Sequence, residues 1–139
     1  MVNIYVLALL CAQNSVLLLH RDQVSYGKNL YGLVGGKVEQ GETALQAIQR
    51  EVKEEVGLDL PLSDFKLVHV LHRKGTETEF IALCFYADIT PLSPVNNEPA
   101  KHDHFKFFDK NQLPADMIDA HKQSIEQVSN GSLYSEHGW

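Results

Sequence analysis

Glu51, Glu54 and Glu55 stand at i, i+3 and i+4. In a helix these positions are surface neighbours, so the three carboxylates share one side. Like charges at this spacing cost roughly a few tenths of a kcal/mol per exposed pair, and more when partly buried. A hard divalent cation relieves that repulsion. Magnesium in particular accepts a few carboxylates, several waters and substrate phosphates. Taken alone, Glu-x-x-Glu-Glu beside Arg50 and Lys53 also describes an ordinary solvated acidic face. What decides between the two is the segment that positions the acids.

That segment reads as a helix. Thr43 followed by Gln46 forms a capping-box pattern, and Gly57 supplies the stop. Leu45, Ile48, Val52 and Val56 fall on one apolar stripe. At about 100° per residue, the stripe and the carboxylates are centred roughly 100° apart. One face can therefore be buried while the acids line its border. Ala44 and Ala47 fall on the acid side and are expected to leave room for a ligand. Upstream, Gly32, Gly35, Gly36 and Gly41 crowd together. Such density marks a backbone that bends tightly or approaches something closely.

The rest of the chain supplies strands. Val2 to Cys11 and Val16 to His20 are apolar runs around a turn-like Ala12-Gln13-Asn14-Ser15 spacer. Arg21 to Tyr31 is a polar loop. Leu67 to Leu71 and Phe80 to Ile89 predict two further strands, and Phe105 and Phe107 around Lys106 predict a short one. Pro114 opens a last helix to about Asn130, with Gly131 as its stop. The predicted class is α+β, a mixed β-sheet packed between helices, and residues 1–139 are expected to form one domain.

Composition narrows the function. A net charge of -6 argues against a general binder of nucleic-acid polymers. Phosphate substrates would need a cation between themselves and the excess carboxylates. The apolar run Ile4 to Ala12 has no basic residue before it and is too short to span a bilayer. No membrane partner and a cytoplasmic location are expected. Cys11 and Cys84 each lie in apolar runs and read as buried free thiols, without zinc-ligand spacing. Seven scattered histidines likewise show no metal spacing.

The full pattern is more specific than any of its parts. Gly36, five residues, Glu42, seven residues, then Arg50-Glu51-Val52-Lys53-Glu54-Glu55-Val56-Gly57-Leu58 matches every fixed position of the signature G-x5-E-x7-R-E-U-x-E-E-x-G-U. The chain thereby resembles the Nudix hydrolase superfamily. The stretch Leu33-Val34-Gly35-Gly36-Lys37-Val38-Glu39 is similar to its L-P-G-G-x-x-E opening, with Val34 in place of proline. The resemblance implies a Nudix α/β/α sandwich. It implies divalent cations, Mg2+ with Mn2+ as a substitute, held by Glu51, Glu54, Glu55 and the Gly36 carbonyl. It implies a catalytic set of Glu54, Glu55 and Arg50, with Arg50 orienting the carboxylates. Glu42 and Gly57 would support the box structurally. Glu98 and Asp103 are further candidates for a general base on a later loop.

Substrate choice lies outside the box. Glu98-Pro99-Ala100-Lys101 followed by Phe105-Lys106-Phe107-Phe108 is similar to the E-P-x-K…W-x-W-F stretch of MutT-like nucleotide hydrolases, with phenylalanine for both tryptophans. Phe105 and Phe107 then either stack a base or belong to the core. Asp103 or His104 would hydrogen-bond the base edge. The expected substrate-binding set is Arg21, Lys37, Phe80, Glu98 and Asp103. The implied partner is a small nucleotide, most simply a triphosphate, an oxidised one included, cleaved to a monophosphate and pyrophosphate. The alternatives are ADP-ribose or another nucleotide sugar, and a non-catalytic nucleotide sensor. A monomer or homodimer is expected.

Overall fold

A computed structural model describes all residues, Met1–Trp139. β1 (Val2–Ala12) and β2 (Ser15–Arg21) are the two apolar runs. From Val6 to Cys11 and from Val16 to Leu19 both are buried on two faces, which explains the continuous apolar character there. Val6, Ala8, Leu10, Leu17 and Leu19 face one half of the core. Leu7, Leu9, Cys11, Val16 and Leu18 face the other. The two strands pair only at Cys11–Val16 and Ala12–Ser15. Beyond that point they diverge and recruit different partners.

β1 pairs antiparallel with β4 (Val34–Lys37) and parallel with β6 (Glu79–Asp88). β2 pairs with β3 (Tyr31–Gly32) and β7 (His102–Asp109). β5 (Lys66–Lys74) lies antiparallel to β6, and β8 (Tyr134–His137) lies parallel to β5. α1 (Ala44–Val56) covers the first face through Ala47, Ile48, Val52 and Val56. α2 (Asp119–Ser129) covers the second through Ala120 and Ile125. This is the expected mixed sheet between helices. No helix is long and apolar enough to cross a membrane.

Two local expectations are corrected, and the tail adds a strand. The last helix begins at Asp119 rather than Pro114. Tyr31 N–H donates to Asp116 O and Ile118 N–H to Tyr31 O, so residues 116–118 spend their backbone on β3 in strand fashion. The C-terminal tail is strand β8, because the edge of β5 offers it a ladder; Trp139 Nε1–H donates to His72 O (3.2 Å). Ala47 leaves no space for a ligand. It is fully buried in the core under α1, where a small side chain lets helix and sheet approach.

Candidate active site

The site grows from the junction of β4 and α1. Thr43 Oγ1 accepts the Gln46 N–H (3.1 Å) and Gln46 Oε1 accepts the Thr43 N–H (2.8 Å), which sets where the helix starts. Gly57, left-handed at φ 69°, ends it. Asn97 covers the last turn, its side-chain amide donating to the carbonyls of Lys53 and Glu54.

β4 lies flat on β1, with Gly35 opposite Leu7 and Gly36 opposite Val6. A Cβ on Gly35 would meet Val6 O at 2.2 Å, and one on Gly36 would meet Glu51 Oε1 at 2.2 Å. The first glycine is required by the sheet backbone, the second by a carboxylate resting on it. Gly35 N–H also donates to Glu55 Oε1 (3.0 Å).

Arg50 gathers the acids. Its Nε and one terminal nitrogen take both oxygens of Glu42 (3.1 and 2.7 Å). The other terminal nitrogen reaches Glu51 (2.8 Å) and Glu54 (3.4 Å). The terminal nitrogen bound to Glu42 also donates to Lys37 O (3.2 Å), while Glu42 accepts the Glu39 N–H (2.9 Å). Hydrogen bonding to Arg50 holds the Glu42 carboxyl below its ordinary range. Charge-assisted, forked pairing of this kind fixes geometry as well as adding energy.

The three glutamates differ in environment. Glu55 is only 4% exposed. Burial pushes its carboxyl well up, the Glu51 charge adds to that, and the Gly35 N–H opposes it. Glu51 is also pushed up by burial, against the pull of Arg50. Glu54 is exposed. The donors are all hard oxygens, and the missing Cβ of Gly36 opens the space beside Glu51. This donor set fits a hard divalent cation.

On the other side of Gly35 and Gly36 lies a cavity of about 790 Å3. Tyr5, Arg21, Tyr26, Arg73, Phe80 and His121 define its chemistry, over a floor that includes Leu7, Leu33 and Leu71. The Arg73 guanidinium sits 5.0 Å from the Tyr26 ring and 5.2 Å from the Phe80 ring. Tyr5 and Phe80 are 4.9 Å apart. Arg21 Nε–H donates to Tyr26 O (2.9 Å). His121 Nδ1 accepts the Leu33 N–H (3.0 Å), so its proton resides on Nε2. Burial, aided by Arg73 and Arg21, pushes His121 down to about 3 and keeps it neutral.

Of the substrate candidates, Arg21 and Phe80 line this cavity. Lys37 contributes its carbonyl to Arg50. Glu98 pairs with Lys101 (3.2 Å) and is near enough to Glu55 to raise its carboxyl. Asp103 does not join them; its Oδ1 accepts from His20 Nδ1 (2.7 Å) and lies 3.0 Å from His104 Nδ1. Phe105 and Phe107 pack against the core on the α1 face, away from the cavity. Tyr5, Tyr26 and Arg73 were not singled out from the sequence. The period of two places Tyr5 beside Leu7 and Arg73 beside Leu71, a signal that was available. His102 was also passed over: its Nε2 lies 3.5 Å from Glu55 Oε2, and burial pushes it down to about 4.

The NUDIX domain matches residues 1–128. The chain is similar to an ADP-ribose pyrophosphatase of Methanocaldococcus jannaschii, at 32% identity over 109 residues, covering 78% of this chain and 63% of the relative. It is also similar to an oxidized purine nucleoside triphosphate hydrolase of Danio rerio, at 33% identity over 110 residues, covering 76% of this chain and 65% of the relative. It thus spans a little under two thirds of either relative's length. The crystal structure of a MutT NUDIX hydrolase from Burkholderia pseudomallei superposes with a TM-score of 0.83 at 25% identity, covering 92% of this chain and 98% of that one. With the match running through the glycine pair, the glutamate helix and the sheet that carries both, the chain belongs to the NUDIX domain family.

Proposed function

We propose that the protein is a Mg2+-dependent pyrophosphohydrolase acting on a nucleoside diphosphate-linked substrate, foremost a nucleoside triphosphate, oxidised ones included, which it cleaves to a monophosphate and pyrophosphate. One observation carries this reading: Gly35 and Gly36 belong to two sites at once. They line the aromatic cavity, and they touch Glu55 and Glu51. A nucleoside in the cavity can run its phosphates over this glycine pair to the carboxylates.

Glu51, Glu54, Glu55 and the Gly36 carbonyl would hold Mg2+, or Mn2+ in its place, which neutralises phosphate charge and acidifies a bound water. Arg50 orients the acids from behind while engaged with Glu42. Glu54, the exposed acid, is suited to accept the proton of the attacking water, and Glu98 is the second candidate. Tyr5 and Phe80 offer ring faces to a base. Arg21 and Arg73 supply local positive charge on a chain of net charge -6 and attract the polyanion.

A second reading is ADP-ribose as substrate. It is favoured by the similarity to the M. jannaschii enzyme and by a cavity of about 790 Å3, larger than a base alone requires. The deciding experiment measures Mg2+-dependent release of phosphate or pyrophosphate from ordinary and oxidised nucleoside triphosphates, diphosphates, ADP-ribose and dinucleoside polyphosphates. Wild type and Glu54→Gln are run side by side. Preference for a triphosphate supports the first reading, and preference for ADP-ribose replaces it with the second. Equal rates in the two proteins, or no turnover of any substrate, sink the hydrolase reading.

A further inference from the structure

We propose that His20, Asp103 and His104 form a second metal site, suited to a borderline transition ion of the zinc class and separate from the glutamate centre. It does not depend on the hydrolase reading. Among all His, Cys, Asp and Glu side chains, this is the one set of three whose ligand atoms lie within 4.8 Å of one another.

The backbone brings these residues together. His20 on β2 and His104 on β7 are direct partners across the antiparallel ladder. Their rings stack, with centroids 4.8 Å apart and planes within 15°. Asp103 Oδ1 lies 2.7 Å from His20 Nδ1 and 3.0 Å from His104 Nδ1. All three ligand atoms therefore point at one another before any ion arrives. The side chains of Asp103 and His104 are each 47% exposed, so an ion has a route in.

A second feature points the same way. The Tyr31 hydroxyl lies 2.8 Å from His104 Nε2, the ring nitrogen turned away from the cluster. Metal-bound histidines characteristically donate that other N–H to an oxygen, which fixes the ring and leaves the first nitrogen free to coordinate. Tyr31 is itself held, edge-on to His20 (4.8 Å) and to Phe108 (4.9 Å). Two imidazoles with one carboxylate select Zn2+, Co2+ or Ni2+ over Mg2+, with remaining positions filled by water. β7 thus carries His102 toward Glu55 and His104 toward Tyr31, which separates the two centres chemically.

The test titrates Zn2+ by calorimetry and Co2+ by visible absorption into the full chain under excess Mg2+. One equivalent should bind. Affinity should fall at least about tenfold in His20→Ala and in His104→Ala, and about tenfold in Tyr31→Phe, which removes only the orienting oxygen. It should persist in Glu54→Gln. No binding under excess Mg2+, equal binding in the histidine variants, or loss in Glu54→Gln would overturn the proposal. Circular dichroism checks the fold of each variant. Histidine ring NMR of wild type provides a reading free of any variant: Co2+ must shift His20 and His104 before the other histidines, and any other order also overturns the site.

Discussion

Gly36 lies under Glu51 so closely that a Cβ there would stand 2.2 Å from the carboxylate oxygen Oε1. The obstacle is the far end of a flexible side chain. At Gly35 the obstacle is the carbonyl of Val6, also at 2.2 Å, which belongs to the sheet itself. Gly36→Ala should therefore fold with a near-normal melting temperature but lose hydrolysis and Mg2+ binding, because Glu51 must swing away. Gly35→Ala should lose roughly 1–3 kcal/mol of stability, the usual cost of overpacking. Paired thermal melts and Mg2+ titrations check this; equal stability loss in both variants would refute the division.

Arg50 and Glu42 form a forked pair, with contacts of 3.1 and 2.7 Å. Arg50→Lys keeps the charge but cannot reproduce the fork. We expect a stability loss of about 1–2 kcal/mol and a drop in kcat of roughly 10–100-fold, in line with loss of a group that orients metal ligands. Urea melts and steady-state kinetics measure the two effects. A change in KM alone would place Arg50 on the substrate instead.

Glu51, Glu54 and Glu55 crowd together, with the burial of Glu55 opposing its ionisation. Mg2+ should raise the melting temperature of the wild type. At a hundred times its Kd the gain is about 2.7 kcal/mol. Glu51→Gln should shrink that gain and raise the Mg2+ concentration needed for half-maximal rate. An undiminished Mg2+ shift in the variant would place the ion elsewhere.

His121 is buried neutral and pushed down to about 3, below its ordinary value of 6.5. A depressed histidine adds stability above its unfolded pKa and loses it as pH falls toward the folded value. Stability should thus decline between about pH 6.5 and the onset of acid unfolding, by up to about 1.4 kcal/mol per pH unit from this residue. His102, pushed down to about 4, acts in the same direction. His121→Gln should be less stable at pH 8 but show a shallower slope between pH 6.5 and 5. Parallel slopes in urea denaturation would exclude the assignment.

Arg73 lies between the rings of Tyr26 and Phe80 at the cavity wall. Arg73→Ala or Phe80→Ala should raise KM about tenfold with kcat largely retained, a loss of roughly 1.4 kcal/mol in substrate binding. A fall in kcat with constant KM would instead assign these residues to the reacting centre.

The sequence by itself determined the glutamate helix, its cap, its stop and its buried stripe, because these depend on spacings within one turn or two of helix. Glu51, Glu54 and Glu55 needed only the i, i+3, i+4 rule. The strand order and the partners of Tyr134–His137 could not be read this way, since ladder pairing joins residues far apart in the chain. Residues 116–118 looked helical from Pro114 onward until Tyr31 claimed their backbone. The aromatic cavity shows the same limit. Arg21 and Phe80 were expected there, but Tyr5, Tyr26, Arg73 and His121 arrive from separate segments that only the sheet brings together. Asp103 was expected to read a base and instead bridges His20 and His104, because cross-strand register sets its neighbours. Local spacing determines which groups can act, and long-range pairing decides which of them meet.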